Sequence, residues 1–217
     1  AVWNLNGNTF VGDSLNVTLD GITGADAQHA IGLAVTSAFG CQDSTEIMVT
    51  VHPVPVLSLS TSSAASCSDE EWIIFNGAQF ADSTAIVFNN GTLMTNPADS
   101  IIISLANENA EDLVIELTQL AFTDFGCTAA SGLAHIVHPN VTAAFDAPEA
   151  ACTPLEVNFT SNSVNATGST AWTFGDGTSS VENNPMHVFA TESTNDSTFT
   201  VSLLATNAAG CADSTSA

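Results

Sequence analysis

Apolar residues recur at every second position in short stretches along this chain, and turn-forming steps close each stretch. Alternation of that period predicts strands with one buried face. In the last third of the chain the predicted strands cover residues 141–145, 155–160, 170–174, 187–189 and 198–206. In the middle third they cover 56–59, 72–75, 85–88, 101–105, 113–122 and 134–137. Asn-Gly, Gly-Asp-Gly and Asn-Pro steps separate them, and these residues favour turns for backbone reasons. No stretch carries the 3.6-residue period of an amphipathic helix. Five to seven short strands in roughly 85 residues read as a two-sheet antiparallel sandwich. Apolar runs such as the one at 101–103 are strand-sized, well short of the roughly 18 residues of a membrane helix.

The pattern repeats. Gly40-Cys41-Gln42-Asp43-Ser44-Thr45 closely matches Gly210-Cys211-Ala212-Asp213-Ser214-Thr215, with Gly126-Cys127-Thr128 between them. Val51-His52-Pro53 recurs 86 residues later as Val137-His138-Pro139. Trp3 precedes Cys41 by 38 residues, and Trp172 precedes Cys211 by 39. Independent landmarks share one period, the signature of a tandem array. The predicted domains are residues 1–53, 54–139 and 140–217, the first read as the C-terminal part of a repeat and the last as lacking its final strand. Val-His-Pro segments end one sandwich and enter the next, and connections this short predict a semi-rigid rod.

Five cysteines fall into this register: Cys41, Cys67, Cys127, Cys152 and Cys211. None forms a Cys-x-x-Cys pair, which argues against a zinc ribbon or a redox motif. Cys67 precedes Cys127 by 60 residues and Cys152 precedes Cys211 by 59. The spacing therefore predicts disulfides Cys67–Cys127 and Cys152–Cys211, with a partner for Cys41 upstream of residue 1. Free buried thiols are the alternative. Disulfides would place the chain in an oxidising compartment, the periplasm or the cell exterior.

Charge narrows the function further. The 217 residues include no Lys or Arg and 23 Asp or Glu, a formal charge of −23. Charged residues total only 11%, so basic residues have been removed rather than acids added. A chain without cations has no phosphate clamp, no Schiff-base lysine, no arginine finger and no polybasic membrane patch. Nucleic acid is excluded as a partner, because binding it requires cations to displace counterions. Trypsin-type proteases find no cleavage site, and lysine–asparagine isopeptide bonds cannot form.

The third repeat carries Ala171-Trp172-Thr173-Phe174-Gly175-Asp176-Gly177, then Asn183-Asn184-Pro185-Met186-His187-Val188-Phe189, then a strand ending at Cys211. On these residues it resembles the PKD family of immunoglobulin-like β-sandwiches, in the cysteine-bearing form common in surface proteins of Bacteroidota. Thr173 replaces the family's usual Asp and Phe189 its usual Tyr. The first two repeats keep the strand-and-turn shape, as at Trp3-Asn4-Leu5-Asn6-Gly7, but lose Gly-Asp-Gly. The implied fold is an all-β tandem array of antiparallel sandwich domains. Trp172 and Phe174, two apart on a strand, point to one core face. Gly175 and Gly177 supply turn conformations closed to side chains, and Asp176 is placed to hydrogen-bond its own turn. Calcium at Asp176 is the sharper alternative, although one carboxylate falls far short of six to eight oxygen ligands.

Enzyme chemistry finds no foothold. The acidic clusters Asp69-Glu70-Glu71 and Glu108 with Glu111-Asp112 read as solvated strand edges that would at most collect Ca²⁺ loosely. There is no Gly-x-Ser-x-Gly elbow for a serine nucleophile. His52 and His138 are repeat-equivalent, so a shared structural role is expected; His187 reads as a packing residue. Six Asp-Ser steps, at Ser14, Ser44, Ser83, Ser100, Ser197 and Ser214, resemble the acceptor motif for periplasmic O-glycosylation in Bacteroidota, and they also suit turns that open strands. Asn-x-Ser/Thr sequons occur at Asn16, Asn90, Asn140, Asn158, Asn165 and Asn195. The expected function is a non-enzymatic extracellular rod, a segment of a surface adhesin, stalk or filament. Its expected partners are neighbouring repeats, like chains, and surface or glycan ligands. The alternative is a spacer or carbohydrate-binding accessory beside a secreted enzyme. That reading needs an exposed aromatic platform, for which Trp72 is the candidate because Trp3 and Trp172 share a core-strand position.

Overall fold

A computed structural model of the chain describes residues 1–22, 24–148, 152–191 and 196–217. Among these the ordered elements are all strands, with no helix. The first four, β1 (Val2–Leu5), β2 (Asn8–Val11), β3 (Ala27–Thr36) and β4 (Gln42–Val51), form an antiparallel sheet in the order β2-β1-β3-β4. Eight more follow: β5 (Val56–Thr61), β6 (Ala65–Cys67), β7 (Glu71–Gln79), β8 (Ser83–Phe88), β9 (Leu93–Thr95), β10 (Ser100–Ser104), β11 (Leu113–Phe122) and β12 (Thr128–His138). They make a three-stranded sheet β10-β7-β5 and a five-stranded sheet β6-β12-β11-β8-β9. The last eight are β13 (Phe145–Asp146), β14 (Leu155–Asn158), β15 (Thr160–Ser161), β16 (Thr170–Thr173), β17 (Ser179–Ser180), β18 (Met186–Phe189), β19 (Ser202–Thr206) and β20 (Ala212–Ser216). These pair as β13-β15, β14-β18 and the four-stranded sheet β17-β16-β19-β20.

By contact the chain divides into two compact units. One comprises Ala1–Ser60, Ile74–Ile101 and Glu116–Leu133; the other comprises Thr61–Ile73, Ile102–Ile115 and Ala134–Ala217. In the first unit, β1 to β4 bury only Ala27 among their apolar side chains, because a single sheet has no second layer to cover its face. The buried residues of this unit come instead from β7, β8 and β11: Ile74, Ile86, Phe88, Leu117 and Ala121. In the second unit an aromatic core forms around Trp172, Phe159, Phe174, Phe189, Val157, Val201 and Leu203, with Phe145, Leu155 and Phe199 packed against it.

One cross-strand pair recurs three times at the repeat spacing. Trp3 lies opposite Leu33, Ile86 opposite Gln119, and Trp172 opposite Leu203. One turn also recurs three times. The amides of Ser37, Thr123 and Asn207 donate to the carbonyls of Cys41, Cys127 and Cys211, at 2.8, 2.9 and 2.9 Å. In return, the amides of Gly40, Gly126 and Gly210 donate to the carbonyls of Ser37, Thr123 and Asn207. The three glycines have φ of 83°, 84° and 95°, a left-handed conformation that a side chain disfavours.

Two expectations are corrected. Strand β6 pairs with β12 in parallel, Ala65 to Ile136 through Cys67 to His138, so the sandwich is not wholly antiparallel. Three residues without alternation gave no strand signal in the sequence. The disulfide runs from Cys67 to Cys211, with Cα atoms 5.8 Å apart, and neither Cys67–Cys127 nor Cys152–Cys211 forms. The register explains why. Cys67 is level with His138 at the end of β12, whereas Cys127 immediately precedes its start at Thr128. Ten residues of strand span about 33 Å, far beyond the roughly 7 Å limit for bridged Cα atoms. Cys211 reaches Cys67 because the turn beginning at Asn207 seats on the chain just past β12: the Asn207 side-chain Nδ2 donates to Pro139 O at 3.0 Å. Val141, Ala143, Ala205 and Cys211 form a small buried cluster there, with Cys67 and Ala166 against it. Cys41 and Cys152 are exposed free thiols, and Cys127 is a partly buried one.

Candidate functional site

The Gly-Asp-Gly turn follows β16, which carries the fully buried Trp172, and Phe174 (2% exposed), just past the strand's end, joins it in the aromatic core. Gly175 (φ 78°) sits so close to Thr200 that an added Cβ would lie 2.6 Å from its carbonyl oxygen. A glycine is required there by space as well as by conformation. Asp176 Oδ1 accepts the Thr178 amide at 3.0 Å and the Thr178 hydroxyl at 2.6 Å. Its Oδ2 lies 2.7 Å from His187 Nε2. The Thr178 hydroxyl is the main cause holding this carboxyl down to about pKa 2, helped by the Thr178 amide and His187 and opposed by burial. His187 lies flat on Phe174, with ring centroids 4.0 Å apart. Pro185 is fully buried, and its carbonyl accepts the Phe159 amide at 2.9 Å. Both carboxylate oxygens of Asp176 are therefore engaged within the fold. Among the described residues no three His, Cys, Asp or Glu gather closely enough to hold a metal ion.

The Val-His-Pro segments carry a second recurring arrangement. His52 Nδ1 lies 2.9 Å from Asp26 Oδ1, and His138 Nδ1 lies 2.7 Å from Asp112 Oδ1. Each aspartate stands 26 residues before its histidine. The Phe125 ring, from the second of the three turns, stacks on His52 at 3.5 Å and 7°. Asp26, His52, Pro53, Phe80, Asp82 and Phe125 are among the residues lining a cleft of about 250 Å³ at this place. The carboxylates in it are already committed: Asp26 to His52, and Asp82 to the Asp124 amide at 2.7 Å. Asp26 and Phe125 were not singled out in the sequence and Asp112 was read only as part of a solvated acidic edge, although the 26-residue interval between each Asp and its His recurs with the repeat and is the signal that could have found the pairs.

Trp72 is not a ligand platform. It is 1% exposed and stacks face to face on His135. Trp172 is fully buried, and the half-buried Trp3 donates its indole N–H to Gly12 O at 3.2 Å. Of the Asp-Ser serines, Ser14, Ser44, Ser100, Ser197 and Ser214 are exposed and Ser83 is half-buried. Among the sequons, Asn16, Asn90, Asn140 and Asn158 are exposed. Asn165 is half-buried, with φ of 57° and its amide bonded to Asn140 O. Asn195 lies outside the described residues.

The fold and these motifs define immunoglobulin-like β-sandwich repeats, built on glycine turns and a histidine-ended final strand. The PKD domain family matches residues 136–217, the end of the second repeat and the third. No curated protein matches the chain. Among solved structures the chain is similar to the extracellular cadherin domains 3–6 of protocadherin gamma B2, with 11% identity and a TM-score of 0.37. That likeness covers 99% of this chain and 66% of the other, so this chain spans just under two thirds of its length. It is also similar to a 1.5-MDa bacterial ice-binding adhesin, at 15% identity and a TM-score of 0.36, over 99% and 82% of the two chains. A third likeness is to the Bacteroides ovatus protein SGBP-B of a mixed-linkage glucan utilization locus, at 12% identity and a TM-score of 0.26, over 97% and 55%.

Proposed function

We propose that this chain is a segment of an extracellular, non-enzymatic rod, in which stacked sandwich repeats hold a surface adhesin, stalk or filament away from the cell and carry tension along it. The observation that supports this reading most is the Cys67–Cys211 disulfide, which ties the second repeat to the third across the Val-His-Pro junction. A bond across a junction limits hinge motion between repeats and keeps them attached under load. The oxidising exterior allows it to persist, and a chain free of Lys and Arg gives trypsin-type proteases nothing to cut. The exposed Asp-Ser serines are proposed glycan acceptors on the same rod. Small-angle scattering of the chain tests the proposal. Three repeats end to end, each about as long as an 11-residue strand, give a rod of about 110 Å and a radius of gyration of about 30–35 Å. A value near the roughly 17 Å of a compact globule of this length would overturn it.

A further inference from the structure

Five cysteines share two repeat-equivalent positions, and only one pair of them is bonded in this structure. Cys67 and Cys152 occupy the early position; Cys41, Cys127 and Cys211 close the three equivalent turns. The bonded pair joins an early cysteine to the turn cysteine of the following repeat, 144 residues on. Two observations carry this pairing beyond the one junction. The turn of a following repeat meets the Val-His-Pro exit of its predecessor at both junctions: the Asn207 side-chain Nδ2 donates to Pro139 O, and Phe125 stacks on His52 beside Pro53. The early cysteine is fixed at that same exit, because β6 runs parallel to the end of β12 and the Ser68 amide donates to His138 O at 2.9 Å. Any turn that docks on the exit therefore presents its cysteine to the early cysteine beneath it. The turn of the first repeat, which meets no such exit within this chain, leaves Phe39 96% exposed and Cys41 exposed. Phe125, its equivalent against His52, is 67% exposed.

Resting on the reading of the chain as a tandem rod, we propose that the array is stapled at every junction in one register, the early cysteine of each repeat to the turn cysteine of the next. Cys41 and Cys127 are then halves of staples to the early cysteines of preceding repeats. Cys152 is half of a staple to the turn cysteine of a following repeat. Each staple forms when two thiols lose two protons and two electrons to a disulfide-bearing thiol oxidase, whose own disulfide is reduced to a dithiol in exchange.

The register is tested by inserting a second copy of residues 54–139 after Pro139, folding the four-repeat chain with a disulfide-donating oxidase, and mapping its links after Asp- and Glu-directed proteolysis without reduction. The expected links join the original Cys67 to Cys127 of the inserted copy, and Cys67 of the inserted copy to Cys211. Three thiols, Cys41, the original Cys127 and Cys152, stay open to alkylation. Links within repeats, which would pair Cys152 with Cys211 and leave Cys41 alone free, would overturn the register while leaving the scattering test of the rod untouched. The unaltered chain gives a second readout that needs no insertion. In Cys67→Ser the newly alkylated thiol is Cys211; a newly alkylated Cys127 contradicts the proposal. The same map on the array as its host secretes it is expected to show Cys152 linked to a Gly-Cys turn peptide, and a free Cys152 there refutes the rule.

Discussion

The imidazole of His135 lies flat on the indole of Trp72, with ring centroids 3.8 Å apart and planes 8° from parallel. His135 is fully buried. Its Nδ1 lies 3.1 Å from Ser63 O, which can only accept, so Nδ1 carries the proton and Nε2 accepts from the Ser66 hydroxyl at 3.0 Å. The ring is thus packed as a neutral base. Burial pushes its pKa below 6.5, the bond to Ser63 works the other way, and nearby His138 lowers it further.

A histidine whose pKa falls on folding costs stability in acid, because the unfolded chain takes up the proton first. The stability His135 contributes is complete above about pH 6.5 and is lost progressively below it. Thermal unfolding measured from pH 7.5 to 5 checks this. His135→Gln should lower the melting temperature at pH 7.5, and the gap to the unaltered chain should narrow as pH falls. A gap that stays constant or widens would contradict the neutral assignment.

Asp176 governs a lower window. A carboxyl held at about 2, against an ordinary 3.8, stabilises the fold above pH 3.8 and loses that contribution as pH falls through 2. Asp176→Asn removes charge-assisted bonds to Thr178 and His187 and should cost about 1–3 kcal/mol at neutral pH. Denaturant titrations at pH 7, 4 and 2.5 should show this difference shrinking at the lowest pH. An Asn variant as stable as the parent at pH 7 would show that the turn does not depend on the carboxylate.

The repeat pair Trp3–Leu33 and Trp172–Leu203 separates register from burial. Both tryptophans oppose a leucine at the same place in their sheets, yet only Trp172 is fully buried. Trp172→Ala should cost about 3–5 kcal/mol, whereas Trp3→Ala should cost at most about 1 kcal/mol. Equal costs by chemical denaturation would mean that the first sheet is covered in solution.

The strand pattern, the three Gly-Cys turns and the PKD character of the third repeat were legible in the sequence, because alternation and glycine chemistry are local. The partner of Cys67 was not. Spacing reports which cysteines are equivalent, while pairing depends on which turn seats on which strand end, and β6 is too short to announce its place beside β12. Trp72 failed for a related reason: in Glu71-Trp72-Ile73-Ile74-Phe75 apolar residues occupy both faces, so period two could not tell inside from outside. The missing cations were legible at once. Their structural consequence is that carboxylates bond to backbone amides and to histidines, as Asp213 does to Ala143 and Asp26 to His52.

A chain of charge −23 repels itself, and salt screens that repulsion over about 10 Å at 0.1 M. The melting temperature should rise as NaCl increases from 10 to about 150 mM. A fall over that range would contradict a chain whose stability is limited by self-repulsion.

Single-molecule extension tests the central claim, that a covalent staple ties repeat to repeat in a chain built to carry tension. Pulled from its two ends, the oxidised chain cannot release the 144-residue separation closed by Cys67 and Cys211. Full unfolding should therefore fall short of the reduced chain by about 500 Å of contour length, and Cys67→Ser should extend fully without reductant. Equal extension in the presence and absence of reductant would contradict the account.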